Sequence, residues 1–151
     1  MSFEDDIKYT DAHIVFKEHP DHVSLLFQVS KCPHRCKNCH TPELQEDIGK
    51  HLTLEVLRDY IVKYYNAIGN VIFFGGNQHK EQFVELLKLC KDFGLKTTLW
   101  TGDDNIDEDI KMYLNYLKTG LYIEELGALG TPGTNQKYID LKTGKDIVIN
   151  A

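Results

Sequence analysis

Three cysteines lie within eight residues of this 151-residue chain: Cys32, Cys36 and Cys39 follow one another with the spacing C-x3-C-x2-C. Thiolates at such short intervals are typical ligands of metal ions and iron–sulfur clusters. Three of them can hold three irons of a cubane, which leaves the fourth iron open to a small molecule. The spacing therefore predicts a [4Fe–4S] cluster with one open coordination position.

A structural zinc site is the alternative, with His34 or His40 as the fourth ligand beside the three cysteines. Zinc sites of this kind more often contain a C-x2-C pair and a second ligand pair farther along the chain, and the sequence has no such second pair. The remaining cysteine, Cys90, falls on the apolar face of a predicted helix. We expect it to be a core residue and not a fourth ligand.

The pattern around the cysteines alternates strands and helices. Strands are predicted at 12–16, 23–29, 71–74, 96–100 and 120–123, and helices at 53–66, 80–93 and 107–118. The apolar run at 23–29 suits a strand that is buried on both faces, as in a parallel sheet. Alternation of this kind predicts an α/β fold with right-handed crossovers. A loop and a hairpin with its turn at 142–145 are expected near the C-terminus.

Three unusual loops follow predicted strands: the cysteine segment, Gly75-Gly76-Asn77, and Thr101-Gly102. In open α/β sheets, ligands bind beyond the carboxyl ends of the strands. Glycines at such a position allow the backbone to approach a ligand closely. The sequence therefore predicts that the three loops form one shared site.

The cysteine motif after the first core strand resembles the signature of the radical SAM superfamily. That resemblance implies a small, incomplete radical SAM-type (β/α) partial barrel with a mostly parallel sheet, formed by a single domain over 1–151. It also implies S-adenosylmethionine (SAM) as a ligand of the open iron, with reductive cleavage to a 5′-deoxyadenosyl radical. Such chemistry belongs to the cofactors, and the protein positions them.

The resemblance assigns further residues to SAM. Gly75, Gly76 and Asn77 would touch its methionine end, although the family often has an acidic residue where this chain has Asn77. The same likeness places Thr101 and Gly102 near the ribose. Asn38 stands beside the adenine where many relatives have an aromatic residue, and His40 either stacks on the adenine in that role or is simply exposed. Trp100, in the segment Leu-Trp-Thr-Gly, is equally well interpreted as a core aromatic residue.

Residues 36–44, the Trp-Thr-Gly segment and the tail at 122–127 and 134–138 are similar to the activating proteins of anaerobic ribonucleoside-triphosphate reductase. This likeness implies that a backbone glycine of the reductase loses a hydrogen atom and becomes a glycyl radical. An electron donor such as reduced flavodoxin is implied as well. Asn135 and Gln136 either face the partner or satisfy loop backbone, and both roles stay open.

The net charge of −6 argues against nucleic acid as the main partner, because such binding needs lysine and arginine to neutralise phosphates. Since no apolar run approaches the roughly 20 residues that span a bilayer, and no basic leader is visible, we expect a cytoplasmic location without membrane contact. Two other functions remain open. One is a radical SAM enzyme for another protein or a small molecule, and the other is a non-catalytic metal-binding or partner-binding module.

Overall fold

The computed structural model of the chain describes residues 7–16, 19, 22–29, 50–77, 79–103, 105–120 and 136–147. The described part contains the strands β1 (Lys8–Val15), β2 (Ser24–Val29), β3 (Lys50–His51), β4 (Asn70–Phe74), β5 (Lys96–Trp100), β6 (Tyr116–Thr119) and β7 (Lys137–Asp140). Its helices are α1 (Leu54–Tyr64), α2 (Lys80–Asp92) and α3 (Glu108–Lys111).

The strands form one sheet in the order β3-β1-β2-β4-β5-β6-β7. The four central strands β2, β4, β5 and β6 run parallel, while β1, β3 and β7 pair antiparallel at the flanks. Helices α2 and α3 lie in the crossovers from β4 to β5 and from β5 to β6. The predicted α/β fold with a mostly parallel sheet is confirmed in these central strands, and its closure into a partial barrel stays a prediction.

Helices α1 and α2 bury their apolar faces against one side of the sheet. In α1 the buried residues Leu57 and Ile61 are four apart, which places them on one helical face. Helix α2 buries Phe83, Leu86, Leu87 and Cys90. These side chains join strand residues such as Phe27 and Phe73 in the main core cluster. Each fully buried side chain of this size stabilises the fold by about 1.5–3 kcal/mol.

The ends of the two long helices follow the sequence signals. The Thr53 side chain accepts a hydrogen bond of 3.1 Å from the Val56 backbone N–H, as an N-cap does. After α2, Gly94 has a φ of +75° and its N–H donates to the Lys91 carbonyl. A left-handed residue at this position is the usual end of a helix and favours glycine.

A second, smaller apolar cluster lies on the other side of the sheet and contains the buried residues Val15, Leu26 and Ile72. A separate polar network joins β2, β4 and β5. In it, Asn70 Nδ2 donates to Ser24 Oγ at 3.1 Å, and Thr98 Oγ1 donates to Asn70 Oδ1 at 2.9 Å. This fully buried network ties the first residues of β2 and β4 to the middle of β5.

The third helix differs from the prediction. Of the strand predicted at 120–123, residues 121–123 lie outside the described residues. Helix α3 ends at Lys111 and not near Lys118, and a strand follows at Tyr116–Thr119. The reason is pairing with β5, where Thr98, Leu99 and Trp100 lie opposite residues of β6. Extending α3 would leave the open hydrogen-bonding groups of β5 without a partner strand.

The C-terminal hairpin is confirmed as far as residue 147, and the rest of its second arm lies outside the described residues. Ile139 forms an antiparallel bridge with Asp146, and the Asp140 N–H donates to the Lys145 carbonyl at 2.9 Å. The first arm of this hairpin is β7, which extends the sheet beside β6. In the described ranges, no helix has both the length and the apolar character needed to cross a bilayer.

Candidate functional site

The carboxyl ends of the parallel strands meet at one edge of the sheet. The strand register places Gln28 beside Phe74, Phe74 beside Trp100, and Trp100 beside Lys118. The loops after β4 and β5 therefore start next to each other, as predicted. Strand β2 ends at Val29 on the same edge, and the cysteine segment continues the chain from there.

The loop after β4 is shaped by two consecutive glycines. Gly75 has a φ of +93° and Gly76 a φ of +103°, both in a region that other residues rarely adopt. A Cβ atom on Gly76 would lie 3.4 Å from Phe83 Cδ1, and one on Gly75 would lie 3.7 Å from Val29 Cβ. The Gly75 N–H donates to the Trp100 carbonyl at 2.9 Å. The loop thus places its glycine backbone, half-buried at Gly75 and buried at Gly76, beside the ends of β2 and β5.

A chain of hydrogen bonds connects this loop to the loop after β5. Asn77 Nδ2 donates to Asp103 Oδ2 at 2.6 Å. The Asp103 N–H donates to Thr101 Oγ1 at 3.1 Å, and the Thr101 N–H donates to the Lys118 carbonyl at 3.0 Å. Because Thr101 is buried, it anchors the second loop to the end of β6.

Aromatic side chains cover the sheet face beside these loops. The rings of Phe74 and Trp100 stack with their centroids 4.9 Å apart, and Tyr138 meets Trp100 edge to face at 5.5 Å. The Lys118 ammonium lies 5.7 Å from the centroid of the Trp100 ring. Trp100 is half-buried and packs against the Val15–Leu26–Ile72 cluster, which supports a packing role for this residue.

Several predicted site residues lie outside the described residues. These are the candidate cluster ligands Cys32, Cys36 and Cys39 and the candidate adenine neighbours Asn38 and His40. Their assignments stay predictions. In the part of the chain that the structure describes, no group of three histidine, cysteine or acidic side chains could hold a metal ion.

Cys90 is a core residue, as predicted. It is fully buried on α2, and among the described cysteines it forms no disulfide. Burial raises the pKa of its thiol to about 12, because the low-dielectric core disfavours the thiolate. A thiol held in this neutral form is a poor metal ligand.

Gln136 satisfies loop backbone. It is buried, and its Nε2 donates to the Gly120 carbonyl at 3.2 Å, directly after β6. This contact supports the second of its two predicted roles, while Asn135 lies outside the described residues.

Helix α3 begins beside Asp107, where the predicted helix at 107–118 begins. The Asp107 side chain accepts a hydrogen bond from the Asp109 N–H, and the Lys80 ammonium lies 3.1 Å from Asp107 and 2.9 Å from Asp109. The Asp109 N–H and the Lys80 charge hold the pKa of Asp107 below its usual value. These exposed ion pairs join the starts of α2 and α3.

Two residues at the candidate site were missed by the sequence reasoning. Asp103 carries no predicted role at the site, yet it accepts a hydrogen bond from Asn77 in the neighbouring loop. Lys118 was placed at a helix end, yet it belongs to β6 and lies beside Trp100. The signal that could have identified Asp103 is its position two residues after Thr101, at an edge where neighbouring strand ends converge.

The comparison with known families defines the class of this protein. Residues 22–118 match the 4Fe-4S single cluster domain family. Because this match covers more than half of the 151 residues, the chain belongs to that family. The three clustered cysteines fall inside the matched region.

A particular relative is the pyruvate formate-lyase-activating enzyme of Clostridium pasteurianum. It is 32% identical over an alignment of 90 positions that covers 53% of this chain and 38% of the relative. The chain thus spans well under half of the length of this curated relative. Together, the family and the relative support a [4Fe–4S] cluster and SAM as the cofactors of this protein.

Proposed function

We propose that this protein is a radical SAM activating enzyme that generates a glycyl radical on an anaerobic ribonucleoside-triphosphate reductase. The observation that carries this proposal is the C-x3-C-x2-C motif, which lies inside the matched iron–sulfur family region and follows β2 directly. The relative is, by its name, an activator of another enzyme. The likeness of the tail to reductase activators supports the particular partner.

The cluster would be held by Cys32, Cys36 and Cys39 as thiolates. When bound, the reduced cluster and SAM supply one-electron cleavage of the sulfonium and removal of a hydrogen atom from the substrate glycine. The part of the protein is to bind these groups, orient them and keep water away. With three protein thiolates for four irons, the donor set leaves a position for SAM.

The glycine loop fits the methionine end of SAM. Gly75 and Gly76 carry no side chain between the backbone and the open edge, and a Cβ on Gly76 would already touch Phe83. Backbone N–H and C=O groups in such a loop can approach a charged ligand closely. The neighbouring Asn77 would complete this contact with its side-chain amide.

The second loop would bind the nucleoside part of SAM. Thr101 and Gly102 follow β5 at the same edge, where they would lie near the ribose. In this proposal Asn38 and His40 contribute to the adenine side, from the cysteine segment. The stack of Phe74 and Trp100 lies under the same edge and would exclude water from the reacting groups.

Protein partners, and not nucleic acid, suit the net charge of −6. The proposal includes the glycyl-radical subunit of the reductase as substrate, reduced flavodoxin or a similar protein as electron donor, and a cytoplasmic location without membrane contact. Another protein or a small molecule is the second candidate substrate, since the relative activates a different enzyme. A non-catalytic module is a third.

The decisive experiment is anaerobic reconstitution with iron and sulfide, followed by SAM and dithionite. We expect about four irons and four sulfides per chain, and release of 5′-deoxyadenosine. Electron paramagnetic resonance after addition of the cognate reductase should show a glycyl doublet. Nucleoside release without that doublet would favour the second candidate, and zinc without sulfide would favour the third.

The cysteines provide matched controls for this experiment. Cys36→Ala should lose most of the iron and all nucleoside release, because the cubane loses one of its three thiolates. Cys90→Ala removes a thiol that is buried in the core and should load iron like the unmodified protein. Equal iron loading of the Cys36→Ala variant and the unmodified protein would refute the assignment of the cluster ligands.

A further inference from the structure

A side-chain hydrogen bond joins the two loops of the candidate site across 26 residues of sequence. Asn77 Nδ2 and Asp103 Oδ2 are 2.6 Å apart, which is short for a bond between an amide and a carboxylate. Both residues are half-buried, so the pair lies at the rim of the site and not in the core. We call this hydrogen-bonded pair the Asn77–Asp103 latch.

The latch is held from the side of Asp103. The Asp103 N–H donates to Thr101 Oγ1, and the buried Thr101 is bonded through its own N–H to the Lys118 carbonyl. The position of the Asp103 carboxylate is therefore set by β6 and the end of β5. Asn77, in contrast, follows two glycines whose backbone is intrinsically permissive.

The chemistry of the latch fixes which way the Asn77 amide points. A carboxylate only accepts hydrogen bonds, so Asp103 must receive the Nδ2 donor and not the Oδ1 oxygen of Asn77. Among the described residues, Asn77 Oδ1 accepts no hydrogen bond. The latch therefore leaves an amide oxygen as the acceptor that Asn77 offers to a ligand.

We infer that Asp103 is a positioning residue for SAM, which acts through the Asn77–Asp103 latch to present Asn77 Oδ1 and the Gly75–Gly76 backbone to the ligand's ammonium group. This inference rests on the proposed function. Asp103 does not itself contact SAM in this arrangement. It sets the amide orientation and ties the permissive glycine loop to the rigid strand β6.

The inference predicts a ranking of four variants. Asp103→Ala and Asn77→Ala break the latch, and each should raise the dissociation constant of SAM roughly tenfold, the effect expected for one hydrogen bond to a charged group. Asn77→Asp should raise the dissociation constant of SAM further, because it places two carboxylates at hydrogen-bond distance from each other. The exchanged pair Asn77→Asp with Asp103→Asn restores one donor and one acceptor and should recover binding to within about threefold of the unmodified protein.

The exchanged pair separates positioning from mere loss of fold. Hydrogen–deuterium exchange of the reconstituted protein, without SAM, should show faster exchange of the Gly75 and Gly76 amides in Asp103→Ala and in Asn77→Asp. In the double variant Asn77→Asp with Asp103→Asn, the deuterium exchange of these two amides should return to the rate of the unmodified protein. As a control, Asp59→Ala removes an exposed carboxylate from α1 and should change neither readout.

The outcomes distinguish the latch from the proposed function. If the unmodified protein releases no 5′-deoxyadenosine from a loaded cluster, the proposed function fails. If it does, but Asp103→Ala binds SAM with unchanged affinity, the positioning role of Asp103 is wrong. The latch would equally be refuted if, in the double variant Asn77→Asp with Asp103→Asn, the Gly75 and Gly76 amides underwent hydrogen–deuterium exchange as fast as in Asn77→Asp alone.

Discussion

Replacement of Gly76 by alanine should damage both the fold and the site, and Gly94→Ala offers a matched comparison. Gly76 has a φ of +103° and Gly94 a φ of +75°. The new Cβ would lie 3.4 Å from the ring of Phe83 at Gly76, whereas it would meet no atom within 4 Å at Gly94. The two variants therefore share a backbone penalty but differ in packing and in location.

The magnitudes follow from these geometries. Gly94 lies close to the left-handed helical region, where alanine costs about 1–2 kcal/mol. Gly76 lies farther from that region, and strain of this kind costs up to about 3 kcal/mol. The new Cβ would lie at an ordinary van der Waals distance from the buried Phe83, so the backbone conformation accounts for most of the loss at Gly76. We expect Gly76→Ala to be destabilised by about 3 kcal/mol, and its Tm to fall by roughly 6–12 °C.

Urea unfolding followed by circular dichroism gives the two losses of stability, and calorimetry on the reconstituted proteins gives the affinity for SAM. Gly94→Ala should lose stability alone and keep its affinity for SAM. Gly76→Ala should lose stability and also bind SAM at least tenfold more weakly, an effect on the order of one hydrogen bond to a charged group. Equal losses of stability with unchanged affinity in both variants would refute the described role of the loop.

Two further predictions concern the core. Because burial raises the pKa of the Cys90 thiol to about 12, the unfolded chain releases this proton first. The stability advantage of the unmodified protein over Cys90→Ala should therefore shrink by about 1.4 kcal/mol per pH unit above about pH 9; a constant difference in urea titrations from pH 8 to 10.5 would contradict it. Asn70→Ala breaks both hydrogen bonds of the buried network with Ser24 and Thr98 and should cost roughly 2–4 kcal/mol in the same assay. A loss below 1 kcal/mol would show that the network contributes little.

Local patterns predicted the elements whose signals lie within one segment. The apolar run at 23–29 and the helices predicted at 53–66 and 80–93 lie close to β2, α1 and α2, and Thr53 and Gly94 mark helix ends by their residue types alone. The helix length predicted after Asp107 was wrong, because the short helix and the strand that follows it depend on pairing with the edge of β5. Strand β3 has two residues that pair with β1, and a segment so short carries no pattern of its own.

At the candidate site, residue types and spacing alone were enough to predict an iron–sulfur centre, because thiolate ligands at short intervals have few other uses. The position of the glycine pair directly after a strand could also be predicted, since it depends only on local properties of the chain. The Asn77–Asp103 latch and the aromatic cover of Trp100 by Phe74 and Tyr138 were not. Such contacts arise only when strands that are distant in sequence align in one register, and that alignment is set by packing of the whole sheet.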